Sequence, residues 1–218
     1  MRDDTDNTQL VRNTGGQLVC KWKDRSIFFM EILEMTQIHW KSAFENMTFE
    51  QINEWVQMYQ DRLVGSAIFT RSNSWGSKLV QWGEKHLFAQ TKEKSSFIPS
   101  HTGSIIYYHN DVYIFDMKPP RASVQPLAEY LYSTDEDYVL VLRDFPIDTR
   151  MFSLNCEFHI GEVYPYLSAL RSVFTKRESK YRKHCSEFHC RELQKQGVLK
   201  CVNPEITPDE LFHILTER

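Results

Sequence analysis

No stretch of this 218-residue chain is apolar for long enough to cross a bilayer. The first sixteen residues, MRDDTDNTQLVRNTGG, are polar and acidic and contain no apolar core of the kind a secretory leader carries. Charge of one sign is also scarce. A net charge of −3 is too small to predict binding to nucleic acid or to an anionic membrane surface. Short basic runs such as Lys176-Arg177 and Lys180 to Lys183 sit beside acids and read as solvated surface. No Cys-x2-Cys pair occurs, and neither an internal repeat nor a low-complexity segment is visible. The cysteines number five, an odd count and too few for a disulfide scaffold. These absences predict a reducing environment with free or metal-bound thiols. They point to a cytoplasmic protein, or to one delivered without a signal peptide, for instance with a virion.

What is present suits a packed core: hydrophobic residues make up 41% of the chain and aromatics 13%. Residues 1 to about 20 carry few apolar side chains and read as a loosely ordered arm. Apolar residues from Ser26 to Phe44 recur at mixed three and four spacing, which predicts one or two helices. Thr48-Phe49-Glu50-Gln51 fits a capping box opening a helix that ends near Val64-Gly65. At Gly65 the texture changes. Ala67 to Thr70 reads as a strand, Ser74 to Lys85 as a helix, and Gln90 to Pro99 as a loop. Gly103 to Tyr108 and Val112 to Asp116 read as a hairpin, with Pro119-Pro120 after it. Tyr138 to Leu142 reads as a further strand. Helices are predicted over Gly161 to Phe174 and Glu187 to Gln196, the second stopped by Gly197 at C′. Thr207-Pro208-Asp209-Glu210 is a second capping box, with proline in the first turn. The pattern predicts an α+β fold. A helical extension over residues 1–64 precedes a domain over residues 65–218.

The densest chemistry lies in "KHCSEFHC", Lys183 to Cys190. Three readings apply. Cys185 and His189 share a helix face, and with Cys156 and His159 they make four zinc ligands in a loose pattern. Alternatively these cysteines are small buried hydrophobes, the preferred reading for Cys20, Cys156, Cys190 and Cys201. The third reading makes Cys185 a nucleophile at a helix N-terminus, where free N–H groups and the helix dipole favour thiolate over thiol. A nucleophilic cysteine needs a base and the base an orienting group. His101, just before a strand, and Asp116, on the returning strand, fit those roles. With a two-residue hairpin loop, Tyr108 pairs with Asp111 or His109 with Val112. Either register puts His101 and Asp116 on one sheet face as diagonal neighbours. A three-residue loop would put them on opposite faces.

Six stretches in order resemble the circularly permuted papain-like cysteine hydrolases of the NlpC superfamily, the YiiX-like group. "GSAIFTRSNSWGSKLVQWGEK" (Gly65 to Lys85) is similar to its opening strand and helix, and "PSHTGSIIY" (Pro99 to Tyr107) to its histidine motif. "VYIFDM" (Val112 to Met117) resembles the strand bearing the acid, and "GEVYPYLSAL" (Gly161 to Leu170) a tyrosine-bearing helix start. "HCSEFHCREL" (His184 to Leu193) resembles the cysteine motif, and "ITPDEL" (Ile206 to Leu211) the closing helix. The resemblance covers Gly65 to the C-terminus and leaves residues 1–64 unaccounted for. It implies a permuted papain-like fold, in which a small antiparallel sheet or barrel packs on helices.

The resemblance also implies a Cys185–His101–Asp116 triad acting through an acyl-enzyme, with no cofactor or metal. The substrate would be an amide, as in a peptide or peptidoglycan stem, or an ester or thioester, which would make the protein a thioesterase or lipid acyltransferase on the same triad. Tyr164 stands where it would line the pocket or pack in the core. The chain departs from the family twice: Ser66 stands where an aspartate is usual, and Asp116 where a glutamate is usual. The alternative class is a catalytically degenerate member acting as an interaction protein, with residues 1–64 as the surface for a protein partner.

Overall fold

The structure, a computed structural model, describes residues 9–12, 18–21, 38–72, 78, 97–163, 185–200 and 202–217. Nearly all of the helices expected over Ser74 to Lys85 and over Gly161 to Phe174, together with Tyr164, Cys201 and His184, lie outside these residues. The chain divides into two units, Met1–Thr36 and Gln37–Arg218. In the first, β1 (Gln9–Arg12) and β2 (Leu18–Lys21) form an antiparallel hairpin where the composition predicts a loose arm.

The second unit is an α+β fold around a six-stranded, wholly antiparallel sheet. Its strands are β3 (Ile38–Trp40), β4 (Ala67–Arg71), β5 (His101–Tyr108), β6 (Asp111–Met117), β7 (Ala122–Pro126) and β8 (Asp137–Val141). Their order across the sheet is β3-β8-β4-β5-β6-β7. Its helices are α1 (Phe49–Met58), α2 (Gln60–Leu63), α3 (Leu127–Ser133), α4 (Thr149–Glu157), α5 (Cys185–Lys195) and α6 (Pro208–Thr216). Of the stretch from Ser26 to Phe44 that reads as helical, Ser26 to Gln37 lies outside the described residues; its end is corrected, since Ile38–Trp40 pairs with β8 as an edge strand. Helices α1 and α2 and strand β3 precede Gly65 and belong to the same unit as the rest of the sheet.

Local sequence rules set several of these boundaries. In both capping boxes the threonine side chain accepts from the third helical N–H, and Gln51 or Glu210 accepts from the threonine N–H. Helix α5 ends in a Schellman turn: Gly197 has φ +82, its N–H donates to Gln194, and the Val198 N–H donates to Leu193. The β5–β6 connection is the two-residue loop His109-Asn110, with both φ angles positive, so Tyr108 pairs with Asp111.

Side-chain alternation splits the sheet residues between two helical layers. Phe69, Ile106, Phe115 and Val139 join a core with Phe152 of α4, Phe188 and Leu193 of α5, and Leu211 and Phe212 of α6. On the other face Tyr138 packs toward Phe44, which stacks edge-on with Trp55 of α1. Helices α1 and α3 pack against each other and against β6 there. Each fully buried leucine or phenylalanine side chain contributes about 1.5–3 kcal/mol. The two layers therefore clamp the strands that carry the site.

Candidate active site

The hairpin register decides whether His101 and Asp116 can meet. With Tyr108 opposite Asp111, continuing the count sets Asp116 opposite Gly103, two residues from His101 on the same face. Gly103 carries no side chain to separate them. The Asp116 carboxylate (Oδ1) and His101 Nε2 are hydrogen-bonded, and both side chains are largely buried. That bond occupies Nε2 and leaves Nδ1 as the ring nitrogen for a second partner.

The second partner is the thiol of Cys185, the first residue of α5. Cys185 belongs to the helical layer on the opposite face of the sheet. It reaches the histidine where β5 and β6 part. The paired register of these strands starts at Ser104–Phe115, so residues 101–103 pair with β4 alone. Ile105 donates its N–H to Ser66 at 3.0 Å, on the β4 side. By strand alternation the Thr102 N–H points the other way, to the β6 side, beyond the last β6 pair. Turned that way it favours a thiolate at Cys185, as does the Ser186 N–H in the first turn of α5.

These contacts set the charge state. Burial opposes a thiolate at Cys185, but the His101 imidazolium and the two N–H donors outweigh it and hold the thiol below its ordinary range. Burial likewise opposes the imidazolium. The Asp116 carboxylate and the Cys185 thiolate overcome it and push His101 up to about 10. Burial would raise Asp116, yet His101 and then Lys118 bring it below the usual carboxylate range. The three displacements all act in the direction of a thiolate beside an imidazolium, with a carboxylate behind it.

The other cysteines differ. Burial drives the Cys156 thiol well above its ordinary value and the Cys190 thiol to about 11. Both are free, and burial disfavours the thiolate in each. The four residues of the zinc reading do not converge. His189 gives Nδ1 to the Ser104 hydroxyl at 2.8 Å, and His159 pairs with Glu162 at 2.9 Å. Among the described residues, no group of three His, Cys, Asp or Glu side chains is placed to hold a metal ion. Ser66 caps locally: its hydroxyl donates to the Arg62 carbonyl at 2.7 Å and accepts the Arg143 N–H at 2.9 Å. Glu187 sits in the first turn of α5 and pairs with Arg191 at 2.8 Å.

The sequence reading missed Lys118, Tyr130 and Glu136, which stand behind Asp116. Lys118 is two residues past Asp116 and shares its strand parity, a signal that was available. Tyr130 and Glu136 lie on α3 and in the loop before β8, and nothing local to either reveals the contact. Among the described residues, no helix is long and apolar enough to span a membrane. Neither a known family model nor a curated protein matches the chain.

Proposed function

We propose that the protein is a cysteine hydrolase that works through an acyl-enzyme, on a permuted papain-like arrangement of histidine, then acid, then cysteine. One observation carries this reading: Cys185, at a helix N-terminus, contacts a histidine whose other ring nitrogen is held by Asp116. The Cys185 thiolate attacks a carbonyl carbon, and the carbonyl electron pair moves onto oxygen. The Cys185 backbone N–H, at the positive end of α5, faces that developing charge. The tetrahedral adduct then collapses. The His101 imidazolium delivers its proton to the departing amine, alcohol or thiol, leaving a Cys185 thioester. Neutral His101 next takes a proton from water as the water attacks the thioester. The acid leaves, and the thiolate–imidazolium pair is restored. Asp116 holds the ring and offsets its positive charge throughout.

The substrate is a carbonyl compound with a leaving group: a peptide-like amide, an ester or a thioester. The test is the alkylation rate of each cysteine by iodoacetamide against pH, followed by mass spectrometry, in wild type and His101→Ala. Cys185 should react fastest below the ordinary thiol pKa of about 8.5, and His101→Ala should remove that advantage. Equal reactivity of Cys185, Cys156 and Cys190 would overturn the reading. A positive result directs a panel of aminoacyl amides, aryl esters and acyl thioesters, with Cys185→Ala as the blank.

A further inference from the structure

Asp116 has two carboxylate oxygens, and His101 occupies only Oδ1. The other, Oδ2, accepts from Lys118 Nζ at 3.1 Å. Lys118 Nζ also donates to Glu136 Oε2 at 3.0 Å. It lies 5.9 Å from the centre of the Tyr130 ring, and the Tyr130 hydroxyl donates to the same Glu136 oxygen at 3.3 Å. We propose that Lys118, braced by Glu136 and Tyr130, is a positioning residue that fixes the rotation of the Asp116 carboxylate and so keeps Oδ1 on His101.

The need for a brace follows from side-chain mechanics. The terminal torsion of an aspartate is broad, so one hydrogen bond to an imidazole leaves the carboxylate free to swing. A second, charge-assisted bond at the other oxygen removes that freedom. A lysine alone is a poor clamp, because its four-carbon stem is flexible. Here it is held from two further elements, α3 through Tyr130 and the loop before β8 through Glu136. The ring face of Tyr130 favours the ammonium, and Glu136 accepts from it. Charge is balanced as well. Asp116, Glu136 and Tyr130 are the titratable groups facing Lys118. The two carboxylates offset its cation, so it opposes the His101 imidazolium only weakly.

A purely structural salt bridge is the rival account. Lys118 and Glu136 keep 31% and 26% of their side-chain surface exposed, and half-exposed pairs contribute little to stability. The brace should therefore register in the chemistry of Cys185 more than in the melting temperature. This inference rests on the triad reading above, and the test keeps the two separable.

Iodoacetamide alkylation of Cys185 is followed from pH 5 to 9 on the full chain, in wild type, Lys118→Met, Lys118→Arg, Glu136→Gln and His101→Ala, with melting temperatures alongside. Lys118→Met should move the acid limb up by about one pH unit, so the rate at pH 6 falls about tenfold while the protein melts near wild type. Lys118→Arg, which keeps the cation and its donors, should restore most of the rate. Glu136→Gln, which keeps Lys118 but loosens its anchor, should fall between. If Lys118→Met follows the wild-type curve while His101→Ala loses reactivity at low pH, the brace is wrong and the triad stands. If His101→Ala also follows wild type, both fall. Should Lys118→Met fail to fold, Glu136→Gln decides, and an unshifted curve there overturns the brace.

Discussion

The backbone N–H of Thr102 favours the thiolate of Cys185 from just beyond the last pair of the β5–β6 register. A strand inside a sheet spends every N–H on its neighbours. Here two strands part at the end of a hairpin, and the parting frees one donor and admits the end of a helix. The same residues continue to pair with β4, so the opening does not loosen His101, which stays opposite Thr70. A paired strand thus holds the histidine, a helix terminus holds the thiol, and an unused ladder donor lies beside them.

Asp116→Asn should retain the hydrogen-bond geometry and lose the charge. Without the carboxylate, His101 loses the largest influence that raises it, and the thiolate loses its imidazolium partner. The alkylation rate of Cys185 at pH 6 should fall by about tenfold or more, because each pKa unit is a factor of ten in thiolate below the pKa. The rate at pH 10, where the thiol ionises unaided, should change far less. A uniform decrease across the whole pH range would mean that the variant is misfolded rather than discharged.

The fold class and the residues of the candidate site were legible in the sequence; much of the surrounding architecture was not. Cys185, His101 and Asp116 each follow a local rule: a cysteine opening a helical run, a histidine opening a strand, an acid closing the return strand. The hairpin loop, fixed by His109-Asn110 at positive φ, set their relation. The capping boxes at Thr48 and Thr207 were legible because both partners lie within one helical turn. Strand β3 was not, because Ile38-His39-Trp40 is too short to show a period and becomes a strand only by pairing with β8 about a hundred residues away. Helices α3 and α4 were missed for a related reason. Leu127–Ser133 is only two turns long, and in Thr149–Glu157 Met151 and Leu154 stay exposed, which blurs the apolar stripe. The Lys118 contacts depend on where α3 docks, and no periodicity encodes that.

His189 should make the fold acid-sensitive in a defined window. Burial depresses its pKa to about 4, against roughly 6.5 in an unfolded chain. As pH falls below 6.5 the unfolded state takes up the proton first, so stability present above 6.5 is lost on the way to 4. His101 has the opposite displacement: its contribution is complete below 6.5 and lost only as pH rises toward 10. Across pH 7 to 5 it adds a smaller slope of the opposite sign, which a variant at His189 shares with the wild type. Between pH 7 and 5 the wild type should therefore lose about 2 kcal/mol through His189. His189→Gln, which keeps a hydrogen-bonding partner for Ser104 but does not titrate, should lose that much less over the same interval in urea unfolding. Parallel losses in the two proteins would show that folding leaves the pKa of His189 where it stands in the unfolded chain.

Gly103 is the position where the fold and the site constrain each other most tightly. A Cβ there would come within 2.7 Å of Ile114 Cδ1 and 2.9 Å of both Ile114 Cγ1 and Ile68 Cγ2. Both isoleucines are buried and stiff at χ1, so neither can turn aside freely. Gly103→Ala should therefore cost about 1–3 kcal/mol, or several degrees in melting temperature. Adding Ile114→Val removes the nearest methyl and should return part of the loss. Ile114 stands two residues before Asp116 on the same face, so a strand displaced by the clash carries the carboxylate with it. The single variant should lose reactivity of Cys185 at low pH along with stability, and the double variant should recover both together. Stability restored without reactivity would show that Gly103 serves packing alone. A Gly103→Ala protein as stable and reactive as wild type would mean that the sheet is looser at this crossing than the close approach of the two isoleucines requires.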